Sequence, residues 1–387
     1  MHAFSNLPPL ALYIHLPWCV RKCPYCDFNS HQGKDNIPQA RYIDALLSDL
    51  EQDLPQVWGR RLSSIFIGGG TPSLFAPEQL DRLLGGIRAR ITCLPDMEMT
   101  MEANPGTFEQ ERFRGFRDCG INRLSIGIQS FDDRQLQALG RIHSADEAHR
   151  AVEMAREAGF DNINLDLMFG LPGQNQSQGL ADLEQALALD PEHLSWYQLT
   201  IEPNTLFHKQ PPILPDDDLI WELQQQGQQR LAEAGFAQYE ISAYARAGRA
   251  CRHNLNYWQF GDYLGIGAGA HGKLSSSQPA GIQRLWKLRQ PEAYMTAADR
   301  VSGREWLSGA DTVFEFMLNS LRLKQGFTEP LFKAHTGADF EQIRTPCEQA
   351  LAQGLMVRDG LNWRASERGY WFLNDLISRF QLESESA

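Results

Sequence analysis

The chain has 387 residues, 42% of them hydrophobic, a formal net charge of -12 and a sequence pI near 5.3. A chain of this size buries a substantial core and divides naturally into one large domain and a smaller one, and no apolar run is long enough to cross a bilayer. The acidic balance offers no general attraction to phosphate backbones, so nucleic acid is not an expected partner.

The first ten residues, MHAFSNLPPL, lack the cationic start and apolar stretch of an export signal. With seven cysteines, an odd number, this predicts a reducing cytoplasm rather than a disulfide framework. Short β-branched runs then alternate with longer amphipathic patterns six times, the signature of βα units feeding a parallel sheet. Strands are expected over residues 11–16, 64–68, 97–101, 123–128, 162–168 and 194–200, and helices over 39–54, 77–91, 110–119, 145–158 and 178–189.

The first strand runs into YIHLPWCVRKCPYCDF, which places Cys19, Cys23 and Cys26 inside eight residues. A C-x3-C-x2-C triplet in a short loop can give three irons of a cubane one thiolate each and leave the fourth iron open. A structural zinc site instead takes four N/S ligands in paired spacings, and no second pair follows at a suitable distance.

Ligands of parallel α/β folds sit at the carboxyl ends of the strands, and here those ends are polar or rich in glycine. The second strand leads into Gly68-Gly69-Gly70-Thr71-Pro72 and the third into Glu102-Ala103-Asn104-Pro105-Gly106. The fourth ends at Gln129-Ser130, the fifth carries Asp166 before Gly170-Leu171-Pro172-Gly173, and the sixth ends at Glu202-Pro203-Asn204. Glycine lets a ligand approach the backbone closely. Glu102, Gln129, Arg141 and Asp166 supply donors and acceptors, although each taken alone also suits a capping or scaffold role.

A further helix is expected over 216–234 and a strand over 238–244, followed by CRHNLNYW at 251–258 and GIGAGAHG at 265–272. No P-loop lysine follows these glycines, and they read as backbone lining the same mouth. The segment 275–281 reads as a turn or loop. Helices over 312–322, 329–335 and 340–353, a hairpin over 355–364 and a last helix capped by Ser366 and reaching Phe380 suggest a winged-helix-like module. With an acidic chain, packing or lid duty fits that module better than DNA binding. The expected divisions are 1–240 for the large domain, 241–300 for an extension lining the mouth and 301–387 for the C-terminal module.

With these motifs in view, the chain resembles the radical S-adenosylmethionine superfamily, and within it the oxygen-independent coproporphyrinogen III oxidase group. HNLNYW, from His253 to Trp258, is similar to the H-N-x-x-Y-W motif of that group's heme-chaperone branch. The oxidases carry another cysteine two residues after the third, where Phe28 stands here, and an N-terminal arm before the first strand, where this chain has only about ten residues.

The resemblance implies an α/β fold: a partial parallel (β/α)6 barrel with a small helical, winged-helix-like C-terminal domain. It implies a [4Fe-4S] cluster on Cys19, Cys23 and Cys26. It places S-adenosylmethionine among Tyr13, Tyr25, Gly69, Gly70, Thr71, Glu102, Gln129, Arg141 and Asp166, with Gln198 and His271 completing the shell. Heme would contact His253, Asn254, Tyr257 and Trp258.

For His253 the alternative is a satisfied buried histidine beside aromatic rings. Cys251 reads as an iron ligand or attachment point, or as a small buried hydrophobe, and the second reading also fits Cys93, Cys119 and Cys347. The implied partners are heme and an acceptor hemoprotein, membrane-bound or soluble. The implied location is the cytoplasm or the inner face of its membrane. Coproporphyrinogen III oxidase activity is not expected, and homodimer formation is left open.

Overall fold

In the computed structural model, residues 4–33, 37–106 and 110–381 are described; the first three residues of the N-terminal segment read above lie outside them. The six parallel strands fall where β-branched runs meet strand period: Leu10–Leu16, Arg61–Gly69, Thr92–Ala103, Arg123–Gln129, Ile163–Phe169 and His193–Gln198. They pair in chain order, each parallel to the next. Alternation divides their side chains between two surroundings. In the first strand Leu12 and Ile14 join the main core, whereas Tyr13 and His15 border a cavity.

Helices cover the outer face. Gln39–Asp53, Pro77–Arg88 and Ala145–Glu157 bury their apolar stripes against the strands. Ser144 and Glu147 form a reciprocal capping box at the start of the third of these, and Asn175 with Gln178 do the same for Gln176–Ala188.

The sheet does not stop at six strands. Asp262–Ile266 adds parallel to the first strand, and His271–Ser277, Ala280–Lys287 and Val301–Trp306 continue antiparallel from it. The segment 275–281, expected as a turn or loop, is therefore mostly strand, with only Gln278 and Pro279 between two paired strands. Its serines and glycine hide a strand because their neighbours, not their own side chains, supply the pairing. The strand expected over 238–244 is two short pieces, Ala237–Gln238 and Ala243–Ala245, paired antiparallel with each other.

The extension is anchored by buried charge. Lys287 Nζ contacts Asp49 Oδ1 at 2.6 Å and Asp53 Oδ2 at 2.7 Å, with Tyr294 Oη donating to Asp49 Oδ2. These groups tie the third added strand to the first helix.

The C-terminal part has its own core of Phe316, Phe327, Phe332, Phe340 and Trp363, reaching the sheet through Phe260 and Ile282. Its helices run over Gly309–Ser320, Glu329–Thr336 and Glu341–Ala352, and a three-stranded sheet forms the wing. The last helix is broken: Ser366 caps Glu367–Trp371, but Phe372 leaves helical geometry before Leu373–Ser378 begins. Among the described residues no helix is long and apolar enough to cross a membrane.

Candidate functional site

The cysteine loop is held against the glycine turn by backbone hydrogen bonds. Gly70 N donates to Leu16 O, Thr71 N to Trp18 O and His31 N to Pro17 O, at 2.7 to 2.8 Å. Gly70 permits this approach, because a Cβ there would lie 2.5 Å from the Trp18 carbonyl oxygen. Gly69 sits at φ +114, and a Cβ on it would strike the His15 ring. The triplet and the GGGTP turn, separated by more than forty residues of sequence, are thus one structural unit.

Cys19, Cys23 and Cys26 are half-buried and free, and all three line a chamber of about 480 Å³. Burial pushes the Cys19 and Cys26 thiols up from their ordinary value. Among the described residues no three His, Cys, Asp or Glu side chains converge on a single-ion site. Thiolates that each take a different iron of a cluster need not converge, so the donor set fits a cluster better than mononuclear zinc.

The chamber also collects Tyr25, Gly69, Gly70, Thr71, Glu102, Gln129, Arg141, Asp166 and Gln198. Arg141 is the hub of its polar wall. Its Nη2 donates to Asn104 Oδ1 at 2.8 Å and to Gly127 O at 2.6 Å, and its Nη1 stands 3.8 Å from Cys23 Sγ. Its Nε is buried with no partner among the described residues.

Asp166 is fixed by Ser125 Oγ and Asn164 Nδ2, both 2.9 Å away. Burial raises its carboxyl above the ordinary range, and those hydrogen bonds pull the other way. Glu102 accepts from Gly69 N at 3.1 Å. Burial and the nearby Asp166 raise its carboxyl to about 7, against the effect of that amide. Gln129 adopts φ 71, unusual for a residue with a side chain, and its Oε1 accepts from Tyr197 Oη at 2.9 Å.

Tyr197 and Asn104 were not singled out from the sequence. Asn104 bridges Thr71 Oγ1 and Arg141, and its place directly after the third strand in EANPG was the available signal. Tyr197 alternates with Trp196 in the sixth strand, and nothing in the sequence marks which of the two faces inward.

Tyr13 and His271 lie on the other side of Gly69 and Glu102, in a second cavity of about 380 Å³. The wall between the cavities includes a short helix, Arg252–Trp258, which carries the HNLNYW motif. Asn254 and Trp258 line the cysteine chamber, whereas Tyr257 lines the second cavity. His253 borders neither. It is 1% exposed, 3.0 Å from Ser64 Oγ through Nδ1, and packed between the rings of Phe66 and Tyr257 at 5.2 and 5.0 Å. Its Nε2 has no partner among the described residues, and burial then the Arg123 charge lower its basicity to about 3.

Cys251 is fully buried and donates to Glu98 Oε1 at 3.4 Å, the environment of a packed thiol. Cys119 and Cys347 are buried as well, and Cys93 is half-buried.

Residues 13–186 match the model of the radical SAM superfamily, and residues 307–372 match the HemN C-terminal domain. The chain is 50% identical over 379 residues to the heme chaperone HemW of Escherichia coli, covering 98% of this chain and all of that one. It is 36% identical over 383 residues to radical S-adenosyl methionine domain-containing protein 1, mitochondrial, of Mus musculus, covering 95% and 86% of the two chains. In structure it is similar to the coproporphyrinogen III oxidase HemN of Escherichia coli, with a TM-score of 0.81, 21% identity and coverage of 98% and 91%. That last likeness shares the α/β barrel and the C-terminal domain. Full-length identity at this level, together with the cysteine chamber and the glycine turn clamped to it, shows that the chain belongs to the HemW family of the radical SAM superfamily.

Proposed function

We propose that this protein is a heme chaperone: it takes up heme as cargo and passes it to an acceptor hemoprotein. Cys19, Cys23 and Cys26 would hold a [4Fe-4S] cluster, which supplies one-electron chemistry to a sulfonium compound at its open iron. Family membership implies both the cluster and S-adenosylmethionine.

The cofactor's amine, carboxylate and ribose hydroxyls have complementary partners along the chamber. Arg141 and Gln129 suit its carboxylate, Asp166 and Glu102 its hydroxyls and amine, and the Gly69-Gly70-Thr71 backbone its close approach. Tyr25 and Gln198 complete that wall, whereas Tyr13 and His271 stand apart from it, in the second cavity beyond Gly69. The cargo contact proposed from the HNLNYW helix is Tyr257, which offers its ring face with His253 supporting it from behind, while Asn254 and Trp258 turn to the cysteine chamber.

The observation that carries the reading is the placement of that helix. The HNLNYW helix, which the family resemblance marks for heme contact, forms part of the boundary between the cysteine chamber and a second, open cavity. A heme site beside the cluster site, rather than within it, suits a protein that releases its cargo unaltered. We place such transfer in the cytoplasm or at the inner face of its membrane, and the acceptor there as soluble or membrane-bound. The division at 1–240, 241–300 and 301–387 is retained, supported by the separate aromatic core of the C-terminal part.

Anaerobic, cluster-loaded protein should bind heme and deliver it to an apo-hemoprotein added in excess, read by the acceptor's absorption. It should leave coproporphyrinogen III unconverted in the presence of S-adenosylmethionine and reductant. Formation of protoporphyrinogen at steady turnover would replace this reading with that of an oxidase.

A further inference from the structure

The second cavity combines three kinds of group that a metalloporphyrin needs. It holds imidazoles for the iron, aromatic rings for the macrocycle and a cation for the propionates. At about 380 Å³ it lies in the range of ligand clefts, and it opens to the surface.

Its two histidines are not equivalent. His15 is 5% exposed, and both ring nitrogens are engaged, Nδ1 with Tyr13 Oη and Nε2 with Asn29 O, each at 2.9 Å. His271 opens its strand with an exposed side chain stacked on the Trp286 ring, centroids 6.4 Å apart and planes inclined by 27°. Among the described residues no hydrogen bond or ion pair takes its ring nitrogens. Burial by its surroundings, then the charges of Arg284 and Arg289, hold the ring below its ordinary basicity. With its ring nitrogens unengaged, His271 can offer a lone pair to a metal.

The rest of the cavity matches. Phe28 is 58% exposed at its edge, where an apolar plate would cover it. Tyr257 and Tyr263 stand ring to ring at 4.2 Å and form an aromatic wall. Arg289 lines this cavity and not the cysteine chamber, whereas the carboxylates Asp27 and Glu102 border both. Among the described residues Arg289 has no carboxylate partner within ion-pair distance.

His253, by contrast, would reach a metal only if the HNLNYW helix lifted from the barrel. Its contact with Tyr257 gives it a hold on the cavity wall without touching the cargo.

We propose that heme docks in this second cavity with His271 as the axial ligand of its iron and Arg289 facing a propionate. The proposal rests on the heme-chaperone reading and adds the location of the cargo. Held there, the porphyrin is separated from the cysteine chamber by Gly69, Glu102 and the motif helix.

Heme titration of the full chain, followed by absorption and resonance Raman spectroscopy, tests it with His271→Ala, His271→Tyr, His271→Gly and Arg289→Ala. The parent should show an imidazole-ligated iron. His271→Ala should lose that signature and bind heme at least about tenfold more weakly. His271→Tyr should show phenolate ligation, and His271→Gly should regain the imidazole signature when free imidazole is added. Arg289→Ala should weaken heme binding several-fold while leaving binding of the heme dimethyl ester unchanged.

Parent-like spectra and affinity in both His271→Ala and His271→Tyr would overturn the site while leaving the chaperone reading standing. A parent that binds no heme would overturn the chaperone reading itself.

Discussion

Arg141 reaches Cys23: the guanidinium Nη1 lies 3.8 Å from the thiol sulfur, while Nη2 is locked to Asn104 Oδ1 and Gly127 O. A fixed positive donor beside a cluster thiolate favours the more negative, reduced cluster, since hydrogen bonds to sulfur and net charge set such potentials. Arg141→Gln should therefore shift the cluster midpoint negative by on the order of 59 mV, a tenfold change in a one-electron equilibrium. Redox titration followed by electron paramagnetic resonance measures it, and an unmoved midpoint would remove Arg141 from the electrostatics of the cluster.

Gly70→Ala tests the clamp between the cysteine loop and the glycine turn. Its Cβ would meet the backbone of Trp18, and retreat would break the bonds from Gly70 N and Thr71 N. Overpacking of this kind costs about 1–3 kcal/mol, and the cluster site should load poorly. Gly85→Ala is the matched control, because among the described residues nothing lies within 4 Å of its Cβ and the position is inside a helix. It should stabilise the protein by about 0.5–1 kcal/mol without affecting cluster loading. Equal denaturant midpoints for the two variants would contradict the clamp.

His193 predicts acid sensitivity with a definite sign. It is fully buried, its Nδ1 donates to Asn164 Oδ1 at 2.6 Å, and its Nε2 accepts from Tyr239 Oη at 2.8 Å. Burial, and then the charge of Arg123, hold it well below its ordinary value. The unfolded chain therefore binds this proton at a higher pH, near about 6.5, than the folded one does. The stabilising contribution is complete above that pH and is lost as pH falls below it. Urea unfolding across this window should show a slope steeper in the parent than in His193→Gln by about 1.4 kcal/mol per pH unit. Identical slopes would contradict the assignment.

How far these features could be read from the sequence depended on whether local pattern or distant contact created them. The six parallel strands were legible because Val- and Ile-type runs such as RLSIGIQ sit fully buried between polar ends. The cysteine chamber was legible because strand order brings Cys19, Gly70, Glu102, Gln129 and Asp166 to one rim. His271–Ser277 was hidden, since HGKLSSS carries no strand-like alternation and is held by pairing with 280–287. The second cavity was hidden for the same reason. Tyr13, Asn29, Tyr257, His271 and Arg289 come from five separate segments, and no local spacing announces their meeting. Burial of His253 was equally invisible: the motif names the residue but not the direction in which a seven-residue helix turns it.

That direction yields a separable prediction. Within HNLNYW, Asn254 and Trp258 are four residues apart and share a face, which borders the cysteine chamber. Tyr257 faces the second cavity instead, backed by His253 and paired with Tyr263. Trp258→Ala should therefore alter the change that S-adenosylmethionine makes in the reduced cluster's paramagnetic spectrum and leave heme affinity within about twofold. Tyr257→Ala should do the reverse, weakening heme while sparing that spectral change. His253→Ala removes the ring behind Tyr257 and frees Ser64 Oγ, so its effect should follow Tyr257→Ala. In a double-mutant cycle the two losses should be less than additive, because both act through one wall. Additive losses, or a heme defect in Trp258→Ala as large as in Tyr257→Ala, would mean that the motif addresses a single site and that the helix does not divide the two cavities.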